Sequence, residues 1–167
     1  MVVSRFGVMF FDDPVAAFAN IGRALRPGGR MAFIRAAQAE GNEWLQAIAA
    51  LRDILPVGGF GAPGSPGMFS LADPARTGEV LSAAGFERID AVRVDAYGTW
   101  GRDAEDAAAF LLDSGPGRHL TGQVGPEVRD RAHQRLREIL RAHEGDGPLR
   151  LRSAAWLVAA ARPERRA

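Results

Sequence analysis

The chain has 167 residues, 47% of them apolar and 25% charged, which is room for one ordinary globular domain without a run of roughly 18 apolar residues to span a membrane. With no cysteine it has no disulfide framework, thiolate metal site or cysteine nucleophile, and its three histidines are too widely spaced for a metal cluster. A net charge of +1 does not favour nucleic acid, and because all 21 basic residues are Arg, a phosphate-loop lysine and a Schiff-base lysine are excluded.

Met1 to Gly7 is a short apolar run that reads as a buried parallel strand. Asp12-Asp13-Pro14 then offers a carboxylate cap and a proline in the first helical turn. Val15, Phe18, Ile21 and Leu25 follow at helical spacing, and Pro27-Gly28-Gly29 stops the helix. Arg30 to Ile34 is a second strand, completing a βαβ unit with a parallel pair. Trp44, Ile48, Leu51 and Leu55 predict a helix over 43–55.

The stretch from Val57 to Met68, rich in glycine and proline, reads as a loop and a candidate lid. It follows a helix rather than a strand, so it does not qualify as a dinucleotide-binding turn. Asp73-Pro74 opens another helix, closed by Gly85, and Phe86 to Ala96 reads as a strand. A helix from Asp103 carries Phe110 to Leu112, and Gly115-Pro116-Gly117 is expected to end it. Pro126 opens the longest helix, with a stripe of Val128, Ala132, Leu136, Ile139, Leu140 and His143. Leu149 to Ala161 passes from alternation into a continuous apolar run, as a strand does on entering a covered sheet. The expectation is α/β, with four strands, about five helices, a domain over 1–162 and a frayed tail over 163–167.

In order and spacing, several segments match one pattern. They are Ser4-Arg5-Phe6-Gly7, Asp13-Pro14, Leu25-Arg26-Pro27-Gly28-Gly29, Asn42-Glu43-Trp44, the stretch from Phe69 to Pro74, Ala84-Gly85-Phe86 and Ala155-Trp156-Leu157-Val158. Together they resemble the C-terminal half of a class I S-adenosylmethionine-dependent methyltransferase, closest to the bacterial small-molecule enzymes. The resemblance implies a Rossmann-like half-sheet in the family's strand order 4-5-7-6, the seventh antiparallel, with helices on both faces. It also implies methyl transfer to a small-molecule acceptor, with S-adenosyl-L-methionine as donor. The family's glycine-rich turn and the acidic residue ending its second strand have no counterpart here. The chain is therefore expected to be a fragment, inactive alone and binding the donor weakly or not at all. Met1 is then expected to be internal to a longer protein.

The same resemblance places Ser4, Arg5 and Phe6 as cofactor-binding residues at the carboxyl end of a strand. Met9, Arg35, Trp44, Phe60 and Met68 are the candidate substrate-binding residues, each weighed against a plain packing role. His119 is a weaker candidate base, read as lying in a loop. His133 and His143 are ten residues apart on one helix, about 280° around it, and cannot share a metal. An apolar strand left at a sheet edge invites association. A second copy, or a missing N-terminal half, is accordingly expected along the edge at residues 1–7. The alternative function is a non-catalytic half-domain that acts through that edge. No nucleic-acid or membrane partner is expected, and a cytoplasmic location is.

Overall fold

In the computed structural model, residues 1–58 and 67–164 are described. Their strands are β1 (Val2–Arg5), β2 (Arg30–Ala36), β3 (Glu87–Gly101) and β4 (Leu149–Ala161). The helices are α1 (Pro14–Ala24), α2 (Glu43–Ala49), α3 (Pro74–Ala83), α4 (Ala104–Asp113), α5 (Gly115–Thr121) and α6 (Pro126–Leu140). The sheet order is β1-β2-β4-β3. β1 and β2 are parallel, with Val2 opposite Met31 and Arg5 opposite Ile34. β4 runs antiparallel to β2, from Arg30 opposite Ala161 to Ala36 opposite Ala155. No helix among the described residues is long and apolar enough to cross a membrane.

The chain divides into two compact units. Among the described residues, the first takes 1–38, 67–94 and 154–164, and the second takes 39–58 and 95–153. β3 and β4 each contribute residues to both.

In the first unit, α1 starts where the sequence indicates. The Asp13 carboxylate accepts a hydrogen bond from the Ala16 amide at 2.9 Å, with Pro14 behind it in the first turn. Phe18 is fully buried, stacked on Phe33 of β2 at 5.6 Å and edge-on to Phe11 at 5.8 Å. Such aromatic pairs add to the apolar area they bury. This fixes α1 over the face of β2 that carries Met31, Phe33 and Arg35. Gly28, with φ of +70°, turns the chain from α1 into β2 in a conformation that a side chain would strain. Asp73 caps α3 as Asp13 caps α1, accepting from the Ala75 amide at 2.9 Å. Val80 and Leu81 of α3 are buried.

The second unit is mostly helical, with a core that includes Ile48, Leu51, Leu111, Leu136, Leu140 and Leu151. Trp44 of α2 stacks on Trp100 of β3 at 5.6 Å, and Phe110 of α4 meets Trp100 edge-on at 6.0 Å.

Residues 8–10 form a 3-10 turn after β1. Three local expectations change. α2 ends at Ala49, and the chain continues to Leu55 in turns closed by short-range bonds such as Ile54 N–H to the Leu51 carbonyl, ahead of Pro56. Leu51 and Leu55 stay buried, so the stripe is real although the helix behind it is shorter. Gly115-Pro116 starts α5 instead of ending α4, because the Ser114 hydroxyl accepts from the Gly117 amide and caps a new helix with proline in its first turn. β3 extends to Gly101, and its Val92 and Val94 are exposed, so their alternation does not mark a buried face.

Candidate functional site

The carboxyl ends of parallel strands are where α/β sheets take their ligands, because side chains and backbone amides there are freed from the ladder. In the first unit those ends are Arg5 of β1 and Ala36 of β2. Ser4 is half-buried, while Arg5 and Phe6 are exposed. Phe6 has φ of +57°, a left-handed conformation uncommon for a bulky residue. Its amide still donates to the Ile34 carbonyl at 2.9 Å, so the ladder holds this strained residue in place. Strain of this kind concentrates at ligand sites. A Cβ on Gly7 would come within 3.1 Å of the Ser4 hydroxyl, which would have to give by a few tenths of an ångström to admit it. Arg5 makes no ion pair among the described residues. The strand therefore ends in an exposed ring beside an uncommitted cation.

Met9 is buried, with 2% of its surface exposed. Its sulfur accepts from the Ala36 amide at 3.4 Å. Its carbonyl accepts from the Ser70 hydroxyl at 2.6 Å and from the Gly67 amide at 3.0 Å. The turn after β1 is thus pinned both to the end of β2 and to the segment that holds Met68, which is half-buried.

Arg35 has no exposed surface. Its Nη1 donates to the Ala36 carbonyl at 3.3 Å, while Nε and Nη2 have no partner among the described residues. The guanidinium carbon lies 5.8 Å from the ring centre of Trp156, the residue opposite Arg35 on β4. The Trp156 indole N–H is also buried without a partner. Burial pushes the Arg35 pKa down to about 10, partly offset by the charge of Asp73, so the group is still a cation at neutral pH.

Ser4, Arg5, Phe6, Met9, Arg35 and Met68 all belong to the first unit, whereas Trp44 belongs to the second. There Trp44 is buried, stacked on Trp100, with its indole N–H donating to the Asn42 side chain at 3.3 Å. Phe60, and most of the glycine-rich loop around it, lies outside the described residues. His119 is exposed and sits on α5 rather than in a loop. Trp156 is the residue that sequence reasoning missed as a site candidate, because only the strand register shows that it faces Arg35.

Two solved structures carry the comparison. A protein of Bacillus halodurans proposed to be a methyltransferase is similar at 14% identity and a TM-score of 0.51, over 97% of this chain and 68% of its own. The YcgJ protein of Bacillus subtilis is similar at 13% identity and a TM-score of 0.50, over 98% of this chain and 63% of its own. At these identities the likeness speaks to fold alone, and the fold is that of the C-terminal half of a class I S-adenosylmethionine-dependent methyltransferase. No protein-family model matches the chain, nor does any curated protein.

Proposed function

We propose that the chain forms the acceptor-side part of an S-adenosylmethionine-dependent methyltransferase that acts on a small molecule. The observation that carries this reading is the end of β1, where a strained, exposed Phe6 and an Arg5 without an ion pair among the described residues stand at the carboxyl edge of a methyltransferase-type half-sheet. An exposed ring suits stacking by a flat base, and a cation suits a carboxylate. Both groups occur in S-adenosylmethionine, whose activated sulfonium supplies the methyl group. Transfer of that methyl is an in-line displacement, so the protein's main contribution is alignment and exclusion of water. Ser4, Arg5 and Phe6 hold one partner, and the buried groups at the end of β2 orient the other.

The glycine-rich turn expected to cradle the rest of the donor has no counterpart in these 167 residues. Calorimetry with S-adenosylmethionine is expected to show affinity weaker than micromolar. Amide shifts on adding millimolar S-adenosylhomocysteine are expected at residues 4–7. Micromolar affinity would overturn the reading of an incomplete donor pocket, and undisturbed amides at residues 4–7 would overturn the cofactor assignment.

A second reading rests on β1 itself. It is an end strand of the described sheet, with Met1 86% and Val3 67% exposed. Such an edge can recruit a second chain by strand addition. Light scattering on the eluting protein separates the cases: a monomer argues against assembly, and a dimer lost on Val3→Pro supports it.

A further inference from the structure

We propose that Arg35, together with Trp156, binds an oxyanion, a carboxylate or phosphate group on the small molecule that this chain takes as acceptor. Assigning the anion to the acceptor rests on the methyltransferase reading, whereas the existence of the anion site does not.

Arg35 is fully buried and cationic at neutral pH, and no carboxylate lies within ion-pair distance of it among the described residues: the charge of Asp73 reaches it only at longer range, and the Trp156 ring lies beside it. A buried guanidinium whose donors are left unsatisfied is costly. The nitrogens left unsatisfied are informative. Nε and Nη2 form one edge of the guanidinium, and their N–H bonds point in parallel from it. That edge is the fork that grips two oxygens of a carboxylate or phosphate at once. Nη1, off that edge, is the nitrogen already committed to the Ala36 carbonyl.

Across the ladder, Trp156 leaves a third buried donor unsatisfied, and its ring lies beside the guanidinium at 5.8 Å. Three donors of the right kind without an acceptor describe a site built for oxygens. It lies at the carboxyl end of β2, where a ligand of this sheet is expected. Trp156 is partly exposed, which gives a small ligand a side from which to enter.

The test titrates the protein with acetate and, separately, with inorganic phosphate, against chloride at equal ionic strength. Thermal midpoint and the nitrogen-15 resonance of the Arg35 side chain are followed, with no methyl donor present. One of the two anions is expected to raise the midpoint saturably and to shift that resonance, and which one does so identifies the anion as carboxylate or phosphate. Arg35→Met is expected to abolish both responses, and Trp156→Phe, which keeps the ring and loses the N–H, to weaken the affinity several-fold. Should Arg35→Met fail to fold, Arg35→Lys keeps the charge, loses the fork and is expected to lose most of the response. No saturable response in the unaltered protein, or an equal one in the Arg35 variants, would overturn the proposal. Because no donor is present, failure here is distinguishable from failure of the methyltransferase reading.

Discussion

Two arginine environments differ: the exposed, paired arginines that both units carry, such as Arg76 with Glu79 at 3.8 Å in the first, and the buried Arg35 of the first. In the second unit, Arg102 meets Asp106 at 3.1 Å, Arg118 meets Asp113 at 2.8 Å and Arg137 meets Glu105 at 2.9 Å. Arg137 leaves its Nε unpaired, but its charge is met. In the first unit, Arg35 is buried beside an indole, with no carboxylate within ion-pair distance among the described residues and the charge of Asp73 felt only at longer range. Paired, solvent-facing charge keeps a helix surface wet and contributes little else. Unpaired, buried charge is the unusual case, and it is where a ligand is to be sought. In a chain whose 21 basic residues are all arginine, abundance carries no functional information and environment carries most of it.

The largest expected effects come from the cores and ask whether the units are energetically separate. Phe18 is fully buried in the first unit, and Leu136 is fully buried in the second. Phe18→Ala is expected to cost about 3–5 kcal/mol and Leu136→Ala about 2–5 kcal/mol in urea unfolding. The chain's three tryptophans make the separation measurable. In a Trp156→Phe background, emission comes from Trp44 and Trp100 of the second unit alone. Because β3 and β4 run through both units, Phe18→Ala is expected to lower that emission midpoint together with the one followed by circular dichroism. An emission midpoint left unmoved would mean that the units unfold separately.

A smaller effect sharpens the contrast between the arginines. Replacing a buried charge that is only partly compensated with an apolar side chain of similar length removes a desolvation cost. Arg35→Met is therefore expected to leave the protein as stable or to gain about 1–4 kcal/mol. Arg118→Met, on the surface of the second unit, is expected to leave the urea midpoint where it was. A marked loss of stability in Arg35→Met would show that the guanidinium already has a partner within the folded chain.

Much of this was legible in the sequence where one residue dictates one local event. Asp13-Pro14 and Asp73-Pro74 are helix starts because a carboxylate and a fixed φ do their work within a single turn. The parallel pair followed from two apolar runs joined by a helix. Ser114-Gly115-Pro116 carried the same kind of start signal, yet its glycines suggested a stop, and α5 was missed. The exposure of Val92 and Val94 was not legible, since alternation shows that a strand has two faces without showing which face is covered. The site was legible in part. Arg35 stood out by its place after a strand, but neither its burial nor its pairing with Trp156 exists before β4 finds its register against β2. The left-handed backbone of Phe6 left no mark, because nothing in the residue type favours it.

The smallest expected effect separates surface charge from stability altogether. The Arg102 side chain donates hydrogen bonds to the Asp106 carboxylate at 3.1 and 3.3 Å, and its backbone amide donates a third at 3.0 Å. The side-chain hydrogen bonds, then the backbone one, hold the Asp106 pKa below its ordinary 3.8. A carboxyl group with a lowered folded-state pKa contributes stability that is fully present above the unfolded-state value. That contribution is lost as pH falls through the folded-state value. Arg102→Ala is therefore expected to leave the urea midpoint at pH 7 unchanged within error and to flatten the acid limb below about pH 4. A shift at pH 7 as large as that of a core substitution would mean that this exposed pair anchors the start of α4. The line drawn between surface arginines and Arg35 would then have to be drawn elsewhere.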